Sequence, residues 1–288
     1  MSLQSAVASC PATCGELLQG WLAGSEKLVA YGIDLSSRVT AVLVPSWPAI
    51  PATQVKMYQL CRLLLTHFGQ PQVKIKLSRQ SEIPLGKGMA SSTADLVATC
   101  RAVARLFGRS LSAAEITRFC VQVEASDASA YLAQGLTVID ARTGQVYWQT
   151  KWRPQFASLV LEPATQLSTA LVHRQLTVLQ LKQQATEFAQ VYQAFMTAVQ
   201  TQSLTLLGAA ATQSACLRQQ LLPKPYFTAI QQFMQTQPFL GLNVAHSGTV
   251  IGLMFDPQRL AANDLLQQIR QQPFSAYYRA YIQATEFK

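Results

Sequence analysis

Ile83-Pro84-Leu85-Gly86-Lys87-Gly88-Met89-Ala90-Ser91-Ser92-Thr93-Ala94-Asp95 places two glycines and a run of small hydroxyl residues where a loop passes into a helix. Glycine reaches backbone angles closed to other residues and lets a ligand approach the main chain. The spacing that follows predicts a helix from about Ser91 to Phe107, whose first N–H groups and positive dipole end suit an anion. Ser91, Ser92 and Thr93 add hydroxyls for phosphate oxygens or for a magnesium ion, which takes hard oxygen ligands. The plainer alternative is a glycine-containing turn with a serine N-cap. The proline, the paired glycines, Ser-Ser-Thr and the long helix together favour a phosphate cradle.

The stretch is neither G-x-x-x-x-G-K-[ST] nor G-x-G-x-x-G. Its pattern P-x-G-x-G-[LM]-x-S-S-[AT] resembles the ATP loop of the GHMP kinases, which include galactokinase, homoserine kinase and mevalonate kinase. Two further segments carry the same resemblance. Cys10-Pro11-Ala12-Thr13-Cys14-Gly15-Glu16-Leu17-Leu18-Gln19-Gly20-Trp21 is similar to the first family motif, and Gly241-Leu242-Asn243-Val244-Ala245-His246-Ser247-Gly248-Thr249-Val250-Ile251-Gly252 to the glycine-rich third. The wording is most similar to the branch that phosphorylates the side-chain hydroxyl of L-threonine for cobalamin synthesis.

The resemblance implies an α+β, two-lobed GHMP kinase fold. Residues 1–154 would form an N-terminal ATP-binding lobe of the ribosomal protein S5 domain 2 type, and 155–288 a ferredoxin-like C-terminal lobe. It also implies ATP and Mg2+ as cofactors, with Pro84, Leu85, Gly86, Lys87, Gly88, Met89, Ala90, Ser91, Ser92 and Thr93 around the nucleotide. Homoserine kinase and other small-alcohol kinases are the alternatives within the family, and a catalytically silent binding protein is the alternative outside it.

Composition agrees with an enzyme of this kind. The 288 residues are 49% hydrophobic, enough for one large or two modest cores. No apolar run reaches membrane-spanning length and the first residues lack a signal-peptide pattern, so the expectation is a cytoplasmic protein with no membrane partner. Six cysteines lie scattered without C-x-x-C spacing, as reduced thiols do. Only Cys10 and Cys14 raise a redox question. The net charge of +9 is dispersed, with no basic cluster interleaved with aromatics, which favours ATP and a small-molecule acceptor over nucleic acid. Glutamine pairs crowd the C-terminal half at helical spacing and read as solvated helix faces. The oligomeric state stays open, a homodimer included.

Periodicity predicts strands at Leu3 to Ser9, Glu16 to Leu22, Lys27 to Asp34 and Arg38 to Val44, then a helix from Thr53 to Phe68 and a strand from Val73 to Leu77. Ser112-Ala113-Ala114-Glu115 is a capping box opening a helix to about Glu124. Leu136 to Asp140 and Gln145 to Trp148 form a hairpin. After Pro154 come a strand at Ser158 to Glu162, helices at Leu176 to Val199, Leu204 to Gln220 and Tyr226 to Gln235, and strands at Leu240 to Ala245 and Thr249 to Phe255. A helix from Pro257 to Gln271 and a strand from Ala276 to Gln283 complete the chain.

Phosphoryl transfer needs a group that orients or deprotonates the acceptor hydroxyl. Asp127, after the capped helix, stands where several GHMP kinases place a catalytic Asp, although an Asp there also serves as a turn former. Glu124 joins Ser92 as a metal candidate, while the family's metal Glu lies further upstream. An amino-acid acceptor asks for an acid facing its ammonium and a cation facing its carboxylate. Glu16 is the acid, at a position that holds Asn in homoserine kinase, and Asp34 is the reserve. Arg38 or Lys27 is the cation, and His246, Ser247 and Gly248 would line the pocket. His67 and His173 have no marked context.

Overall fold

The computed structural model describes residues 4–124, 127–164 and 177–287. Two long strands organise it. β1 (Ser5–Leu22) and β2 (Ser25–Val44) form an antiparallel hairpin around Ala23 and Gly24, both at positive φ. The four strands expected here are two, because Cys10 to Gly15 and Leu35 to Ser37 carry on pairing through bulges instead of turning away. The register shifts fall between Pro11 and Ala12, between Thr13 and Glu16, and between Glu16 and Leu18. Bulges re-aim side chains near functional sites. Gly15 sits at φ +67°, and a Cβ on it would lie 2.6 Å from the Val244 carbonyl carbon, so only glycine lets β1 press against that neighbour.

α1 (Val55–His67), β3 (Lys74–Ser81), α2 (Ser91–Leu106) and α3 (Ala113–Cys120) follow. The Ser112–Glu115 capping box is present, but α3 ends at Cys120 and leaves Glu124 in the turn beyond it. β4 (Thr137–Asp140), β5 (Val146–Gln149) and β6 (Ala157–Pro163) match their expected places. The helix expected over Leu176 to Val199 is broken at Gln184 into α4 (Val178–Gln183) and α5 (Ala185–Gln200), and Leu176 lies outside the described residues. α6 (Leu204–Leu221), α7 (Phe227–Gln235), β7 (Gly241–Val244), β8 (Ile251–Phe255), α8 (Ala262–Ile269) and β9 (Tyr278–Glu286) complete the order. α8 is shorter than expected because Asp256 holds a turn, its carbonyl accepting from the Arg259 and Leu260 N–H groups.

One antiparallel sheet runs β1-β7-β8-β6-β9-β2-β4-β5, with β3 beside β2 and the β1–β2 pairing joining the path to itself. The mixture of this sheet with helices is α+β, as expected. α1, α2, α3 and the inner faces of α5 and α6 cover one core, with Leu96, Val103, Phe188, Phe195 and Leu207 in it. The other core lies among β6, β7, β8, α7 and α8, around Leu159, Leu253, Phe233 and Phe274. β1 meets β7 only at Glu16 and Val244, which delivers Glu16 to the junction of the two. No helix among the described residues is long and apolar enough to cross a membrane.

Candidate active site

The phosphate loop takes its shape from three left-handed positions, Gly86 (φ 69°), Gly88 (φ 78°) and Ala90 (φ 59°). α2 then starts at Ser91 with no side-chain cap, so its first N–H groups stay available to an anion. The serine N-cap reading is thereby set aside, since the N-cap is Ala90. The buried hydroxyls of Ser91 and Thr13 have no hydrogen-bond partner among the described residues. Thr13 belongs to the same place, its N–H donating to the Met89 carbonyl at 3.2 Å. Orphaned buried hydroxyls beside uncapped amides fit an oxygen-rich anion such as a nucleotide phosphate. Thr93 is buried beside them, whereas Leu85 is exposed.

The third motif lies directly on this loop. Thr249 and Val250 donate their N–H groups to the Lys87 carbonyl at 2.9 and 3.0 Å. A Cβ on Gly88 would come within 2.5 Å of the Ala245 Cβ and 2.7 Å of the Gly248 Cα. The close approach that Gly88 permits is therefore to the third motif, where the sequence suggested a ligand. The Lys87 side chain also turns from the expected phosphate, donating to the carbonyls of Pro163 and Ala164.

Ser92 and Glu124, the two metal candidates, come together: the Ser92 hydroxyl donates to the Glu124 carboxylate, and Lys56 pairs with the other oxygen. No group of three His, Cys, Asp or Glu side chains converges on a metal position among the described residues. Magnesium in nucleotide sites takes one or two protein oxygens and completes its shell with phosphate and water, so the Ser92–Glu124 pair fits it.

Beside the loop lies a buried charged cluster. Glu16 is 5% exposed and accepts the His246 N–H at 2.6 Å. Burial, reinforced by the nearby charge of Asp127, pushes the Glu16 carboxyl up to about 8, against the His246 N–H and the Arg218 guanidinium. Glu26 accepts from the His246 Nε2 at 2.8 Å and from Arg218 Nη1 at 3.1 Å. Arg218, 2% exposed, donates its Nε and Nη2 to the His246 carbonyl at 3.2 and 2.6 Å. The Lys224 ammonium donates to the Gly248 carbonyl at 2.7 Å, and burial followed by the Arg218 charge pushes it down to about 8.

Asp127 caps the short 3-10 turn Ala128–Gln134, accepting from the Ser129 N–H at 2.8 Å and from the Ser129 hydroxyl. It is thus a turn former, and its charge also reaches Glu16. Burial holds the Asp127 carboxyl above the usual carboxylate range despite the Ser129 bonds.

The other acceptor candidates do not join this cluster. Arg38 is exposed, opposite Ser9 and Gln80, and stands roughly 25 Å along β2 from Ala30, the partner of Glu16. Asp34 is likewise exposed. Lys27 is buried, but against Asp140 at 3.3 Å and over the Tyr147 ring. Ser247 and Gly248 follow His246, and Gly248 lies against Lys87 and Gly88 of the phosphate loop. Glu26, Arg218, Lys224 and Thr13 are members that sequence reasoning missed. Arg218 sits in a glutamine-rich helix that read as solvated, and its single charge among apolar residues was the signal. The six cysteines are free, and burial pushes the thiols of Cys10 and Cys14 up to about 12, which leaves them inert. His67 packs on Phe68 and Phe119. His173 lies outside the described residues.

Residues 56–135 match the family described as GHMP kinases N terminal domain. The L-threonine kinase of Salmonella typhimurium is 39% identical over 257 residues, covering 88% of this chain and 84% of the relative. That of Citrobacter freundii is 37% identical over 257 residues, covering 88% of each. The solved homoserine kinase from Cytophaga hutchinsonii has a TM-score of 0.76 at 14% identity, over 100% of this chain and 96% of that one. The mevalonate kinase of Methanococcus jannaschii has a TM-score of 0.72 at 15% identity, over 97% and 98%. At such identities the two structures show a shared fold.

Proposed function

The chain belongs to the L-threonine kinase family of GHMP kinases, phosphotransferases that act on an alcohol group, and from that premise we propose the reaction and its residues. The substrate pair is ATP and L-threonine, the products ADP and O-phospho-L-threonine, the pathway cobalamin synthesis and the compartment the cytoplasm. One observation carries the reading. A buried carboxyl, Glu16, is tied through the His246 N–H to the segment that packs on the phosphate loop. A hydroxy amino acid placed there meets an acid at its ammonium and a phosphate loop at its hydroxyl. Lys224, with donors beyond its bond to the Gly248 carbonyl, is the cation for its carboxylate, and Arg218 is held by Glu26 and the His246 carbonyl.

In the transfer, the threonine hydroxyl oxygen forms a bond to the γ-phosphorus, the bridging P–O bond to ADP breaks, and the hydroxyl proton passes to the Asp127 carboxylate. Burial moves the Asp127 carboxyl upward, the direction that strengthens it as a base. The uncapped start of α2, with the Ser91 and Thr13 hydroxyls, holds the phosphates. Ser92 and Glu124 would hold magnesium, which would supply neutralisation of phosphate charge. Residues 1–154 and 155–288 are read as the two domains, the second opening just before β6.

The test is product identification by mass spectrometry after incubation with ATP, Mg2+ and either L-threonine or L-homoserine. O-phospho-L-threonine as the preferred product supports the reading. Preferred phosphorylation of homoserine overturns it.

A further inference from the structure

Lys87 stands in the middle of the phosphate loop, 4% exposed, yet its polar atoms serve other parts of the molecule. Its ammonium donates to the Pro163 carbonyl at 2.5 Å and the Ala164 carbonyl at 2.9 Å, at the end of β6. Its own carbonyl receives both the Thr249 and the Val250 N–H groups. The flanking glycines are both left-handed, and Lys87 alone bears a side chain between them. Two more contacts follow the same seam: the Tyr281 hydroxyl donates to Glu162 at 3.0 Å and approaches the Met89 sulfur at 3.7 Å. A buried ammonium is unfavourable unless hydrogen-bonded, and these carbonyls satisfy it.

We propose that Lys87 is a positioning residue that pins the phosphate loop to the end of β6 and so fixes the loop's shape for the whole polyphosphate, without meeting a phosphate itself. The proposal rests on the reading of residues 84–93 as the nucleotide loop. A pin of this kind acts on every nucleotide that uses the loop, whereas a cation on a phosphate acts through charge. The two differ in their salt dependence, because removing a cation–phosphate contact flattens the dependence of affinity on ionic strength.

The experiment measures dissociation constants for ATP and ADP by calorimetry at several salt concentrations, for the wild-type chain, Lys87→Met and Lys87→Arg, with KM for L-threonine alongside. The expected result for Lys87→Met is a tenfold or greater weakening of both nucleotides by similar factors. Its salt dependence should run parallel to wild type, and its threonine KM should stay within about twofold. Lys87→Arg, which keeps donors for the two carbonyls, should recover most of the loss. If Lys87→Met does not fold, Lys87→Gln, which keeps N–H donors without the charge, carries the same comparison and should keep the wild-type salt dependence. A loss confined to ATP, a flattened salt dependence, or unchanged affinity in a folded Lys87→Met overturns the proposal. A wild-type chain that binds neither nucleotide removes the loop reading and the proposal together, and is distinguishable because it appears before any substitution.

Discussion

The phosphate loop occupies consecutive positions from Ile83 to Thr93 and takes its shape from local rules: left-handed glycines, then a helix with an uncapped start. The charged cluster beside it gathers Glu16 from β1, Glu26 from β2, Arg218 from α6, and Asp127, Lys224 and His246 from turns and loops. The first region is a backbone device, in which side chains matter by being small. The second is an electrostatic device, in which buried charges hold one another. A substitution in the loop should therefore act through shape and reach the nucleotide, whereas a substitution in the cluster should act through charge and reach the acceptor.

The sharpest break is expected at Gly88. A valine there would force a branched side chain into a left-handed position and onto Ala245 and Gly248. ATP affinity should fall by at least ~100-fold, about 2.7 kcal/mol. A folded Gly88→Val protein with normal nucleotide affinity in calorimetry would remove the loop assignment.

Asp127→Asn comes next, with kcat reduced by ~10² to 10⁴. The Asn side-chain oxygen still accepts the Ser129 N–H, so the turn survives and the measurement isolates the proton. A loss below about tenfold would assign Asp127 to orientation alone.

In the cluster, the ammonium of bound threonine would draw Glu16, protonated at neutral pH in the free protein, into its charged form, so Glu16→Gln should raise the threonine KM by about 10- to 100-fold, the range for one charged hydrogen bond, and leave the ATP KM near wild type. Equal effects on both substrates would erase the division between the regions. The same residue has a pH signature. Its folded value, up to about 8, lies above that of an ordinary carboxyl, so the folded state binds the extra proton. The stability this gives is complete below the ordinary value and is lost as pH rises through about 8. Thermal unfolding should show Tm of the free protein falling between pH 5 and 8, and Glu16→Gln should flatten that fall; a flat wild-type profile would contradict the burial argument.

The smallest effect is expected at Ser92, exposed at the loop's edge. Ser92→Ala should weaken magnesium-dependent turnover by about two- to tenfold, the worth of one hydrogen bond, with little change in Tm. An unchanged magnesium titration would move the metal away from the Ser92–Glu124 pair.

The same contrast decided what the sequence could tell. Pro84, Gly86, Gly88 and Ser91 to Thr93 announce their conformation within a few residues, so the loop, its helix and the Ser112–Glu115 cap were legible. Glu16, Asp127 and His246 were legible through the resemblance to a family. Arg38 and Asp34 were chosen for charge alone, and β2 leaves them exposed and several residues along the strand from Ala30, the partner of Glu16. Arg218 and Glu26 could not be found that way, because their pairing depends on α6 packing against the β1–β2 hairpin. The merging of four expected strands into two has a similar cause: bulges keep a ladder going where local composition reads as a break.

A buried acid cluster that reads the ammonium of a hydroxy amino acid at the edge of a phosphate loop must discriminate against acceptors without one. Its most direct test is kcat/KM for ATP-dependent phosphorylation of L-threonine against 3-hydroxybutyrate, which keeps the hydroxyl, methyl and carboxylate but lacks the ammonium. Threonine should be favoured by ~100-fold or more, and Glu16→Gln should shrink that ratio. Equal kcat/KM for the two acceptors, or a ratio that Glu16→Gln leaves unchanged, would contradict it.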